Sequence, residues 1–186
     1  MPSSRYVPWR RVKSWHCVAC GECCSRYAVP LGAGEYARLV SVYGEKVVRI
    51  KLGKPYLQKV GRRCIFQAGR LCSLQSAGLK PYACKVYPFF IRRDGRREKE
   101  EAEFWYKDEV FYVYVNTGCR QVKLGKPEPW FANLVIPEAI ELYLNRKREV
   151  TWLTSSTLAQ AGALRPSWAP RSYFRNTMPA YATTLP

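Results

Sequence analysis

The sequence predicts a small α+β domain in which short helices and an antiparallel β-meander are stapled by cysteine loops around one or two metal centres. Three observations carry that reading. Eight cysteines stand among 186 residues, four of them within "HCVACGECC" from His16 to Cys24. The stretch from Phe89 to Cys119 alternates β-branched and aromatic runs with charged turns, the pattern of paired strands. Two other segments, around Tyr36 and after Pro137, read as helices.

Taken in chain order, residues 1–14 carry Pro2, Pro8 and Trp9 among basic residues and read as an extended arm. The cysteine loop follows, where Gly21 gives the backbone freedom to fold thiols around a centre. In "AGEYARLVSVYG", Tyr36, Leu39, Val40 and Tyr43 fall at i, i+3, i+4 and i+7. That spacing predicts one helix with an apolar stripe for the core, ended by Gly44. "KVVRIKLGKPYLQKVGRRC" reads as short strands broken at Gly53-Lys54-Pro55 and at Gly61. Ala68-Gly69 turns the chain so that Cys64 and Cys72 approach each other. Pro81 opens a short helix that Pro88 ends. Asp94-Gly95 and Lys107-Asp108 mark the turns of the meander. Phe111, Val113 and Val115 then face the core, with Tyr112 and Tyr114 on the other side. "IPEAIELYLNRKREV" is a helix with Pro137 near its start and basic residues in its last turn. Beyond Thr151 the composition shifts to Ala, Ser, Thr and Pro without periodicity, which predicts a flexible tail. The expected organisation is therefore a basic arm over 1–14, a metal-binding domain over 15–150 and a tail over 151–186.

At this length, with 47% hydrophobic residues, packing alone suffices for a core, so the cysteines are not substitutes for one. The start of the chain has positive charge but no apolar run after it, and so carries no secretory signal. No stretch approaches the roughly 20 apolar residues of a membrane helix. These features predict a cytoplasmic protein. There thiols stay reduced, and a cysteine cluster binds metal rather than forming disulfides, intracellular hyperthermophile proteins excepted. The net charge is +17, and residues 1–63 carry 13 Lys or Arg against 3 acids. Nucleic acid or an anionic surface is one partner class this admits; a solvated basic face, partly offset by thiolates, is the plainer alternative.

The cysteines read Cys17-x2-Cys20-x2-Cys23-Cys24, then Cys64, Cys72, Cys84 and Cys119. An x2 spacing lets successive thiolates of a tight turn address one centre, as in the ligand run of bacterial ferredoxins. A zinc ribbon would instead show two separated C-x2-C pairs. Cys24 is a ligand to a second metal, a ligand after a local kink, or a spare thiol. The remote cysteines fall at element junctions, where ligands tie separate segments together. Eight thiols allow two four-cysteine sites, or one cluster with four structural or redox thiols. His16, the only histidine, is an alternative ligand in place of one thiolate; with eight cysteines at hand the plainer reading is a side chain that hydrogen-bonds nearby or faces solvent. Trp15, Phe66, Tyr82, Tyr87, Phe89 and Phe90 are candidates for an apolar shell around the metal, or for ordinary core. No acid/base pair or phosphate-binding glycine loop is visible, and "REKEEAE" reads as a solvated charge run. The pattern supports an iron–sulfur protein for electron transfer or redox sensing, with a zinc-stabilised binding module as the alternative.

The pattern CxxCGxCC, a later C…C pair, "KPYACKVYPF" and a late Cys resembles the YkgJ-like cysteine-cluster family, the CxxCxxCC zinc- or iron-chelating domains. Cys17, Cys20, Cys23, Cys24, Cys64, Cys72, Cys84, Tyr87, Pro88 and Phe89 match it position by position, over about residues 15–120. Lys80 stands where Arg is usual, "SLQ" follows Cys72 where Ile-Tyr is usual, and Arg120 follows Cys119 where Pro is common. The resemblance implies metal binding, as an iron–sulfur cluster such as 4Fe-4S or as zinc, without supplying a reaction. A similar cluster in flagellin lysine N-methylases implies association with protein modification, and the iron–sulfur reading implies a protein redox partner. An oxidoreductase component is the enzymatic role left open.

Overall fold

In the computed structural model, which describes residues 5–94, 99–146 and 150–153, two short strands begin the chain. These are β1 (Tyr6–Pro8) and β2 (Val12–Ser14), joined by a 3-10 turn at Trp9–Arg11. Helix α1 (Glu22–Arg26) carries the adjacent cysteines, and α2 (Ala33–Tyr43) follows it. Three hairpins come next: β3 (Val48–Lys51) with β4 (Lys54–Leu57), β5 (Lys59–Val60) with β6 (Arg63–Cys64), and β7 (Gln67–Ala68) with β8 (Leu71–Cys72). After α3 (Ser73–Ser76) and α4 (Tyr82–Val86), strand β9 (Phe89–Arg92) leads through α5 (Lys99–Ala102) to β10 (Glu103–Tyr106) and β11 (Glu109–Asn116). Strand β12 (Lys123–Leu124), a π-helical turn at Phe131–Val135 and α6 (Ile136–Tyr143) complete the described chain. No helix among the described residues is long and apolar enough to cross a membrane.

Strand β11 is the axis of the main sheet. It pairs antiparallel with β9 along one edge. Along the other edge it pairs with β10 through Glu109–Tyr112 and with β1 through Tyr114–Asn116, end to end. The hairpin expected at Lys107-Asp108 forms, with both residues at positive φ (47° and 65°). The strands are antiparallel as expected, but their order is not that of a sequential meander. The link from β9 carries α5 rather than a tight turn, so β9 lies across β11 from β10. Phe111, Val113 and Val115 are fully buried, which matches the expected inward face. Tyr114 is buried as well, because β1 and β9 flank it on both sides.

Within the segment read as an extended arm, the described residues 5–14 form two strands around a 3-10 turn, and they enter the fold. Trp9 and Val12 are buried, while Arg10 and Lys13 remain exposed. Together with Trp15, Phe89, Ile91, the inward face of β11 and the buried stripe of α6 they form one apolar core, the sheet core. A second, the hairpin core, gathers Leu39 and Tyr43 of α2 with Val47, Leu57, Phe66 and Leu74. Helix α2 ends where Gly44 adopts φ +78°, as its sequence predicts. In β3–β4 the chain turns at Leu52-Gly53, and Pro55 lies inside β4 rather than in the turn.

Helix α6 stops at Tyr143, before the basic residues expected in its last turn. The segment 150–153 returns to the sheet core because Glu138, buried on α6, accepts backbone N–H bonds from Thr151, Trp152 and Leu153 at 2.7, 2.6 and 2.7 Å. Gly95 of the first expected meander turn, and the expected tail from 154 onward, lie outside the described residues.

Candidate metal centre

The loop that carries four cysteines leaves the sheet core at Trp15, which is 2% exposed and packs edge-on against Phe89 (5.2 Å, 90°). Its backbone reverses at Ala19 (φ 52°) and Gly21 (φ 74°), then enters the single turn of α1 with Cys23 and Cys24. The loop is tethered on two sides. Toward the hairpins, Lys59 Nζ donates to the Ser25 carbonyl (2.8 Å), and the Gln67 amide meets Ser25 Oγ (3.3 Å) and the Gly21 carbonyl (3.5 Å). Toward the end of β11, Arg26 donates to the Gly118 carbonyl (3.2 Å) and Glu22 pairs with Arg120 (3.0 Å).

The remote thiols arrive from four directions. Cys64 ends β6 and Cys72 ends β8. Cys84 lies on α4, which Glu35 ties to α2 by accepting the N–H groups of both Tyr82 (2.6 Å) and Gly32 (2.8 Å). Cys119 follows β11, and its sulfur accepts the Trp15 indole N–H at 3.4 Å. All eight cysteines are free thiols and line one cavity of about 520 Å3. The six aromatic residues named from the sequence line the same cavity. His16 is exposed. Among the described residues no three His, Cys, Asp or Glu side chains converge closely enough to hold a metal ion as they stand, so the thiols form a cavity wall rather than a closed shell.

The electrostatics of that wall favour a cation. Burial raises the thiol pKa of Cys64 to about 11 and lifts those of Cys72, Cys84 and Cys119, with repulsion from neighbouring cysteines adding to each. Cys24 is raised chiefly by its bond to the Cys23 sulfur, 4.0 Å away, and by burial. Cys23 moves the other way, to about 6, because of its hydrogen bond with the Cys24 thiol and the positive charge of Lys80. Thiols crowded together in a poorly hydrated cavity cannot all ionise unless a cation compensates them. Soft thiolates select zinc, copper(I) or iron–sulfur centres, and iron or zinc thus fits this donor set.

Two expectations follow from the wall. Without metal, neutral Cys64 is favoured in the folded state, since its pKa lies above the ordinary 9.0 at about 11. A raised pKa contributes stability that is complete below the unfolded value and is lost as pH rises through the folded one. Urea melts of metal-free protein should therefore show about 2–3 kcal/mol of stability disappearing between about pH 9 and pH 11 from this group. The second concerns Gly21, where an added Cβ would stand 2.7 Å from Gln67 Nε2 at a backbone φ of +74°. Gly21→Ala is expected to cost ~1–2 kcal/mol in the same melts and to weaken metal retention with every thiol intact.

Sequence reading had missed the residues that place the loop rather than line its centre. Glu35, Lys59 and Gln67 act through backbone groups far along the chain, which no local spacing displays. Lys80, noticed only as a departure from Arg, is the cation whose charge reaches Cys23, Cys72 and Cys84.

Compared with known proteins, residues 16–120 match the family model described as "CxxCxxCC: Putative zinc- or iron-chelating domain". No match was found among curated proteins or among solved structures.

Proposed function

The chain belongs to the CxxCxxCC family of zinc- or iron-chelating domains, and from that premise we propose that its cysteine cavity holds iron–sulfur chemistry in an electron-transfer or redox role. The observation that carries this reading is the gathering of all eight free thiols around one cavity. The C-x2-C-x2-C run over Cys17, Cys20 and Cys23 supports iron–sulfur over zinc. Cys17, Cys20, Cys23, Cys24, Cys64, Cys72, Cys84 and Cys119 are the residues that would hold the metal, and when bound it would supply one-electron chemistry. The chain contributes the surroundings. Phe66, Trp15 and Phe89 limit water on the inner walls, the Trp15 N–H donates to the Cys119 sulfur, and Lys80 lends positive charge. Exposed Cys20 marks the side from which a protein partner, for redox or for protein modification, would approach. The setting is the reducing cytoplasm.

Anaerobic purification followed by iron, zinc and acid-labile sulfide analysis tests the reading. A brown protein with iron and sulfide in comparable amounts is expected; a colourless protein with stoichiometric zinc and no sulfide would overturn it. That second result would favour a zinc-stabilised binding module, for which the hairpins offer one specific feature. Residues 46–63 hold 7 Lys or Arg and no acid. Nucleic-acid binding through them would weaken steeply between low and physiological salt.

A further inference from the structure

We propose that the eight cysteines form two four-thiol sites that meet at the adjacent pair in α1. One site comprises Cys17, Cys20, Cys23 and Cys119; the other comprises Cys24, Cys64, Cys72 and Cys84. The inference rests on the metal reading above and concerns how this chain divides its ligands.

The division follows the two cores. Cys17 and Cys119 pack against the sheet core, whereas Cys24, Cys64, Cys72 and Cys84 belong to or pack against the hairpin core. No cysteine is shared between them. The end of β11 and the exit of β2 bring Cys119 and the start of the loop to one side, where the Trp15 indole bonds the Cys119 sulfur. The hairpins β5–β6 and β7–β8 and helix α4 bring the other remote thiols to the hairpin core.

The loop then assigns its own members. Cys17, Cys20 and Cys23 continue in equal steps of three, and Cys24 breaks that series. Neighbours on a helical turn point about 100° apart, so Cys23 and Cys24 are built to serve different directions although their sulfurs lie 4.0 Å apart. The tethers match: Arg26 and Glu22 hold α1 to the Cys119 side, Lys59 and Gln67 hold it to the hairpin side.

Cobalt(II) titration of the full-length metal-free protein under anaerobic conditions tests the division, reading the visible band of four-thiolate cobalt. Wild type should saturate at two equivalents. Cys20→Ala, an exposed position that leaves the cores untouched, and Cys119→Ala should each saturate at one. Cys72→Ala and Cys84→Ala should also saturate at one, and Cys20→Ala combined with Cys72→Ala should lose the band. Far-UV circular dichroism identifies any variant that does not fold, and the other member of its pair then decides. Saturation of wild type at one equivalent, or loss of the whole band in a folded single variant, would overturn the division while leaving metal binding intact. No cobalt, iron or zinc binding by wild type would overturn both.

Discussion

Trp15→Ala is expected to destabilise the protein by ~3–5 kcal/mol, the range for removing a large buried aromatic side chain. Trp15 is 2% exposed, meets Phe89 edge-on and donates its indole N–H to the Cys119 sulfur. It therefore joins the sheet core to the cavity wall, and its loss should also free Cys119. Trp15→Phe separates the two contributions, since it keeps an aromatic ring in the core but removes the donor. That variant should retain most of the stability, losing ~0.5–1.5 kcal/mol with the hydrogen bond, and still hold Cys119 less firmly. Urea unfolding and the rate of Cys119 alkylation in metal-free protein check both statements. Equal stabilities for the two variants would show that the ring packing contributes nothing.

Glu138→Ala should have an effect of similar size by a different cause. One buried carboxylate accepts three successive backbone N–H groups, from Thr151 to Leu153. Bonds to a charged acceptor contribute ~1.5–3 kcal/mol each, and their sum is limited because the freed segment can detach and find water. Detachment in turn uncovers Leu153, 2% exposed, at ~1.5–3 kcal/mol. A net loss of about 3 kcal/mol or more is expected in urea melts. Glu138→Gln keeps one acceptor oxygen and should fall between wild type and alanine. Hydrogen exchange at Thr151–Leu153 should accelerate in both variants, which a purely local effect on α6 would not produce.

Much of the local structure was legible because it depends on neighbours a few residues apart. The i, i+3, i+4, i+7 stripe of α2 and its Gly44 stop, and the Lys107-Asp108 hairpin, formed where spacing and turn chemistry required. So did the alternation of Phe111, Val113 and Val115. The meander order was not legible, because β1 and β10 share one edge of β11 while β9 takes the other, and the link from β9 carries α5 rather than a turn. Residues 151–153 read from the sequence as the start of a tail, since their anchor, Glu138, lies on a different element and shows no motif.

The candidate site divides along the same line. Thiol chemistry belongs to the residue itself, so eight cysteines and their x2 spacing announce a soft-metal ligand set before any fold is known. Which thiols share a side of the cavity is a property of the two cores, built from segments such as Trp15, Phe66 and β11 that are distant along the chain. Chain order alone leaves Cys24 ambiguous. Packing places it with the hairpins, beside Cys64, Cys72 and Cys84, and leaves Cys119 against the sheet, because a side chain's surroundings are set by long-range burial rather than by its neighbours in sequence.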